Sequence, residues 1–315
     1  MGFSSGMALA VSCMRFFSPL ARAIMTVTVV SLHVYPIKSC AGIDLQSSAI
    51  GEGGLQHDRR WMLVTDSGVF MTQRTWPTMA SIRPVLEEGG LCVAAPGMAA
   101  LRIPIADAAA DAEAPARQLT VWRDSIAGRD EGDEAARWFS EFLREPCRLY
   151  AVHEQARRLA DPARVQAWRE RHGDQAPGVS EHHAFGFADG FPLLVTSQDS
   201  LDELNERLVA RGAAPVPMDR FRPNIVVRGL EPYDEDHIPV LLGADMAIAL
   251  VKPCSRCVIP DTDQATGERH QEPGRTLAAY RTWDEGVMFG QNAVVSAPPG
   301  AVVRVGDALR AEIDF

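Results

Sequence analysis

The chain has 315 residues, 31 basic and 41 acidic side chains, a net charge of −10 at pH 7 and 46% hydrophobic residues. This length is the usual allotment for about two domains, and the apolar content is ample for a core. The acidic balance excludes a broad nucleic-acid face, so any anionic ligand has to be held by a local group of cations, and no apolar run reaches the roughly 18 residues of a membrane span.

Residues 1–26 hold Arg15 and Arg22, no acid, several Ser and Phe residues, and a second Met at position 25. An organellar transit peptide has that composition, and so does an overlong start upstream of Met25. The second is favoured because no clear cleavage pattern is present, and Gly6 occupies the position that N-myristoylation needs as Ser or Thr. From Val27 to Tyr35 the alternation predicts a half-buried strand with Val30, Leu32 and Val34 on one face, ended by Pro36. Lys38 and Ser39 follow in the connection.

Gly51, Gly53 and Gly54 mark a turn before His57-Asp58-Arg59-Arg60-Trp61, and residues 61–72 read as a hairpin about Asp66-Ser67-Gly68. Leu101 to Ile105 and Gln118 to Trp122 are further short strands, a spacing that suggests a small barrel or sandwich. Asp133 to Leu143 changes to a helical period, with Trp138, Phe139, Phe142 and Leu143 on one face. After a strand at Cys147 to Val152, the polar stretch to about residue 182 reads as an insertion or lid at the domain boundary. His182 and His183, being adjacent, point to opposite faces and predict surface roles.

Asp189-Gly190-Phe191-Pro192 is a turn into the apolar run Leu193 to Thr196, and a helix follows, capped by Thr196 or Ser197, with Leu201, Leu204 and Leu208 on one stripe. Pro223 keeps Arg222 extended before the strand Ile225 to Val227. The pattern then predicts a strand at Met246 to Val251, a short helix at Thr276 to Trp283, a tight connection at Phe289 to Asn292 into a strand Ala293 to Ser296, and a last strand after Gly306-Asp307.

The chemistry concentrates in Lys252-Pro253-Cys254-Ser255-Arg256-Cys257. Six cysteines (Cys13, Cys40, Cys92, Cys147, Cys254, Cys257) are few and scattered apart from this pair, a pattern that suits a reducing compartment with one special site. Thiolates bind soft metals or attack electrophiles, and neighbouring cations favour the thiolate. Guanidinium is the best bidentate partner for phosphate, which makes Lys38, Arg59 and Arg222 candidates to hold a phosphorylated cofactor.

Six motifs run in order from about residue 27 to 313: Val34-Tyr35-Pro36-Ile37-Lys38-Ser39-Cys40, Asp58-Arg59-Arg60-Trp61, Phe221-Arg222-Pro223-Asn224-Ile225-Val226, Cys254-Ser255-Arg256-Cys257, Asp261 with Thr266-Gly267, and Phe289-Gly290-Gln291. In these the chain resembles MOSC-domain proteins of the two-domain type, the mitochondrial amidoxime-reducing component and its bacterial relatives. The resemblance implies an α+β, mainly β architecture: an N-terminal β-barrel-like domain over residues 27–150, packed on a β-rich MOSC domain with peripheral helices over residues 151–315, behind the 1–26 extension.

It further implies a molybdenum cofactor between the domains, with Cys257 as the metal ligand and Cys254 in a supporting place. Lys38, Ser39, Arg59, Arg222, Ser255 and Arg256 match cofactor-binding positions, and Asn292 stands where relatives have a Tyr. Asp189 matches an acid near the metal, able to pass a proton if burial raises its pKa. The family's hydroxyl-bearing pair after that acid is Gly190 and Phe191 here. The implied activity is reduction of N-hydroxylated compounds, and family description adds pyridoxal phosphate binding.

Without a C-x4-C-x2-C run, a separate electron donor is expected: a ferredoxin, a flavin reductase or a b-type cytochrome. No nucleic acid or membrane span is expected, and the expected location is the cytoplasm, or the mitochondrion if residues 1–26 are a transit peptide. Alternatives are a persulfide sulfur carrier on Cys257, a non-catalytic cofactor-binding protein and, disfavoured by the missing second ligand pair, a structural zinc domain.

Overall fold

The computed structural model describes residues 23–51, 53–105 and 112–313; the 1–22 part of the N-terminal extension, with Cys13, lies outside the described residues. At the centre is a closed ring of seven strands: β1 (Ala23–Val34), β2 (Leu193–Ser197), β3 (Ile225–Arg228), β4 (Val240–Leu242), β5 (Ala247–Ser255), β6 (Gly286–Ser296) and β7 (Ala308–Ile313). Around the ring the order is β2-β3-β1-β7-β4-β5-β6, and pairing of β6 with β2 closes it. A closed ring of odd number cannot be antiparallel throughout, and the one parallel pair is β2 with β3. Parallel neighbours need a crossover. Here it contains the predicted helix, Gln198–Ala210, capped by Ser197 Oγ accepting from the backbone N–H of Asp199 and Ser200.

The interior of the ring is filled by Val27, Val29, Leu32, Val34, Val195, Ile225, Ile248 and Val295. The β1 set steps by two, then by three, because a bulge falls between Val29 and Ser31. One extra residue flips every later side chain to the other face. Val30 therefore packs outward, against the Leu201 and Phe221 cluster, rather than with Leu32 and Val34 as simple alternation predicts.

Outside the ring, strands Trp61–Thr65, Cys147–Val152, Asp124–Asp130 and Ala116–Val121 form one antiparallel sheet, and Arg83–Glu87, Gly90–Ala94 and Leu101–Pro104 another. Helix Gly132–Leu143 buries Trp138, Phe139 and Leu143 against both. The architecture is mainly β, as expected, with β1 of the N-terminal half built into the ring.

Several expected elements differ. The hairpin over 61–72 is reduced to a single bridge, Val64 to Phe70, because Trp61–Thr65 pairs with Cys147–Val152 instead. The polar stretch after residue 152 is not a detached lid. It contains helix Pro162–His172, whose Trp168 is buried and donates from Nε1 to Pro239 O at 2.8 Å. His183 is buried too, unlike His182. Helix Gly274–Ala278 replaces the longer one expected, and Thr282–Trp283 is a strand. Phe289 to Asn292 is no connection but the middle of β6. Gly290 makes this possible: at φ 77, a Cβ there would lie 2.8 Å from Val195 O on β2.

Candidate functional site

The strand β5 runs through the cysteine motif as far as Ser255, farther than the expected Val251. Pro253 has no N–H for the ladder, and prolines within sheets are confined to edges and bulges. The register of β5 on β6 shifts twice here, between Leu250 and Lys252 and between Pro253 and Ser255. The bulges turn Cys254, Ser255, Arg256 and Cys257 to a cavity of about 280 Å³.

The candidate site residues border this cavity: Lys38 and Ser39 after β1, Arg59 from the turn before Trp61, Asp189, Gly190 and Phe191 before β2, Arg222 before β3, the four motif residues Cys254 to Cys257, and Asn292 on β6. A larger hollow of about 750 Å³ near His57 and His153 has no thiol among its described lining residues.

Backbone conformation marks the same place. Among the described residues seven non-glycines have positive φ, and Ser39, Arg59 and Arg222 are among them on the cavity wall. Each such residue costs about 1–3 kcal/mol and persists only where its surroundings hold it. Arg222 is left-handed, not extended as Pro223 led one to expect.

The holding contacts are polar and buried. Asp58 accepts from the Tyr35 N–H at 2.8 Å and from Arg59 at 2.5 Å. Arg59 also donates to Asn224 Oδ1 at 3.0 Å and to Arg222 O at 3.1 Å. The Tyr35 ring lies between two guanidiniums, Arg59 at 4.3 Å and Arg222 at 4.2 Å, a pair of cation–π contacts. Arg222 donates to Gln264 Oε1 at 3.1 Å, and Gln73, bonded to Gln264, donates to Ser39 O at 2.8 Å. Burial pushes the Arg222 pKa down to about 10. A fixed cation with little water around it favours an anion beside it.

Asp189 departs from the expectation. Burial alone would raise its pKa, but the Lys38 ammonium in contact with it, with Arg74 at 3.6 Å and Trp122 Nε1 at 3.2 Å, holds the carboxyl below the usual range. Near neutral pH this makes it an ionised partner of Lys38; it borders the cavity, and 57% of its side-chain surface is exposed. Lys38 is buried, donates to Phe187 O at 2.8 Å, and has its own pKa lowered by that burial.

Cys257 is exposed, whereas Cys254 is half-buried, with Arg256 donating to its Sγ at 3.1 Å. Arg256 also donates to Phe221 O at 2.7 Å and keeps a buried Nε without a partner. Lys252, expected to act on the thiols, pairs with Glu285 at 3.1 Å. Phe191 is buried in the cluster that contains Trp168 and Val294, and it lines the cavity. Gly190 has open space where a side chain would be.

Sequence reading missed Arg74, Trp122, Arg158 and the placing of Lys252. One signal was available: the chain has two lysines among 31 basic residues, Lys38 and Lys252, and both line this cavity. Arg158, 3% exposed, donates to the carbonyls of Gly186 (3.1 Å), Ala188 and Asp189 (2.7 Å) and pairs with Asp124 at 2.7 Å. It fixes the loop that carries Asp189. An ammonium cannot reproduce this planar fork, so Arg158→Lys is expected to lower stability by about 1–3 kcal/mol, read as a fall in the urea midpoint at unchanged slope.

Ring, bulged thiol strand and cavity define the class of a mainly β protein with a thiol-bearing, cation-lined site. The chain belongs to the MOSC family: residues 26–146 match the MOSC N-terminal beta barrel domain and residues 182–310 the MOSC domain. It is similar to mitochondrial amidoxime-reducing component 1 of Mus musculus, 33% identical over 296 residues that cover 90% of this chain and 81% of the relative. For its Homo sapiens counterpart the identity is 31%, covering 90% and 82%. Molybdenum cofactor sulfurase of Oryza sativa subsp. japonica is 29% identical over 85% of this chain but only 32% of its own length.

No helix among the described residues is long and apolar enough to cross a membrane. Nor do these residues contain a group of three or more His, Cys, Asp or Glu placed to hold a metal ion.

Proposed function

We propose that the cavity holds a molybdenum cofactor and that the protein reduces N-hydroxylated compounds. A hydroxylamine, amidoxime or N-hydroxylated base takes up two electrons and two protons, the N–O bond breaks, and the reduced nitrogen compound leaves with one water. The observation that carries this reading is the shared cavity: the open thiol Cys257 lies with six cations, Lys38, Arg59, Arg74, Arg222, Lys252 and Arg256. Such a donor set suits a group that is both anionic and bound to a soft metal. The unpartnered Arg256 Nε and the space at Gly190 fit the same occupant.

In this reading Cys257 supplies the ligating sulfur, and Lys38, Arg59, Arg222 and Arg256 hold the anionic part of the cofactor. Ser39, Ser255 and Asn292 add hydroxyl and amide donors. When bound, the cofactor supplies a two-electron redox centre. Asp189, as a carboxylate, orients Lys38 and offers an acceptor to a substrate N–H or O–H. The electrons come from a separate donor, a ferredoxin, flavin reductase or b-type cytochrome. The relatives' names favour the mitochondrial alternative for location over the cytoplasmic one. We keep residues 27–150 and 151–315 as the two proposed domains.

Pyridoxal phosphate has less support, since both lysines able to form its imine are ion-paired. A second reading, persulfide transfer through Cys257, is favoured by the exposure of that thiol and by the sulfurase relatives.

The test uses protein made in a molybdenum-competent host. Near-stoichiometric molybdenum and pterin, with reduction of a hydroxylamine by an artificial electron donor, is the expected result. A persulfide on metal-free protein would favour sulfur transfer, and bound molybdenum without reduction would leave a binding protein.

A further inference from the structure

Trp122 is unused by the function just described and is placed as few tryptophans are. It occupies the first position of the two-residue turn between strands Ala116–Val121 and Asp124–Asp130, with φ 58. That position usually takes Gly, Asn or Asp, which adopt left-handed backbone at least cost. Trp122 is also 47% exposed, so burial of its ring does not account for it.

Its indole is nevertheless fixed on several sides. Nε1 donates to Asp189 Oδ1 at 3.2 Å, the Arg74 guanidinium lies 4.6 Å from the ring, and Phe70 meets it edge-on with centroids 5.1 Å apart. The hairpin tip is tied to the cavity wall a second time, since Asp124 pairs with Arg158, which holds the Asp189 carbonyl. Asp189 and Arg74 both border the cavity. The N-terminal sheet thus reaches across and sets a rigid, half-open aromatic surface at the rim of the site. A rigid aromatic loses little conformational entropy on contact and stacks on other flat groups.

We infer that Trp122 is a binding subsite for flat, π-rich groups, the wall that selects aromatic over aliphatic N-hydroxylated substrates. The substrate class rests on the reductase reading; the subsite rests on the placement of the ring. A planar group at the rim would stack on the indole while its N–OH end points past Asp189 toward Cys257.

The experiment compares wild type with Trp122→Asn, which keeps a residue at ease in the left-handed turn, and Trp122→Phe, which keeps a flat ring without the N–H. Benzamidoxime and acetamidoxime serve as probes. Kinetics of the holoenzyme give KM and kcat, and calorimetry without an electron donor gives Kd for the same compounds.

Wild type is expected to prefer benzamidoxime in both measurements. Trp122→Asn should lower that preference about tenfold, the scale of one aromatic stack, with the change in KM and Kd rather than in kcat. Trp122→Phe should keep most of it. Absence of a preference in wild type, equal losses for both compounds, or a fall confined to kcat would overturn the subsite. If wild type binds but turns over neither compound, the reductase reading fails, and the calorimetric preference still decides the role of Trp122.

Discussion

Cys257→Ala is expected to abolish turnover and molybdenum retention, with activity at least about a thousandfold down, while Cys254→Ala keeps activity within about tenfold of wild type. The two thiols are three residues apart and both border the cavity, so position alone does not separate them. Their surroundings do. Cys257 is an exposed residue beyond the end of β5, on the cavity wall. Cys254 is inside the bulged strand, and the Arg256 guanidinium is against its sulfur. Its removal frees one N–H of a cation that Phe221 O still holds.

Cysteine to alanine removes one atom from an exposed site in the first case, so the melting temperature should hardly move. The loss is then of a ligand rather than of a fold. Metal analysis beside a thermal melt reads both, and a Cys254→Ala protein lacking molybdenum beside a fully loaded Cys257→Ala protein would exchange the roles of the two sulfurs.

The site was more legible than the strands that build it. Lys38, Arg59 and Arg222 were recognisable because cations beside turns are chemically specific residue types, and Pro253 within an apolar run already required an irregular strand. Distances in sequence concealed the rest. The bulge after Val29 has no Gly or Pro to announce it, so simple alternation puts Val30 on the wrong face. The left-handed backbone of Ser39, Arg59, Trp122 and Arg222 is imposed by contacts from remote segments, such as Arg59 on Arg222 O. Arg158 lies in a stretch whose polarity suggests solvent, yet its charge is buried because three carbonyls of the 186–189 loop turn toward it. Local pattern reports propensity, whereas these residues owe their place to tertiary pairing.

The Asp189 carboxylate is where such pairing has the largest expected consequence for stability. Asp189→Asn removes the negative partner of a lysine that is 4% exposed and leaves its ammonium the Phe187 carbonyl and the face of the Phe70 ring at 5.6 Å. Breaking a fully buried ion pair costs about 3–5 kcal/mol. Because Asp189 opens to the cavity, water screens part of the pair, and a loss of about 1–3 kcal/mol at pH 7 is expected.

The pH dependence carries the argument further. Burial already lowers the Lys38 pKa, and without Asp189 it falls again. Between that lowered value and the ordinary lysine value near 10.4 the unfolded chain binds the extra proton, so stability rises with pH there. The deficit of Asp189→Asn should therefore shrink as pH increases toward 10. In wild type the depressed Asp189 pKa gives a slope of the same sign at acid pH: its contribution is present above the ordinary carboxylate value near 4 and is lost as pH falls below it.

Activity should follow the same charges. With Asp189 ionised throughout pH 5–8, the wild-type rate profile should contain no limb of its own in that range, and Asp189→Asn should lower kcat/KM at least about tenfold without changing the shape of the profile. A limb near pH 6 that disappears in Asp189→Asn would make this residue a proton donor. Deficits in stability that stay parallel from pH 6 to 10 would mean that Lys38 does not depend on it for its charge.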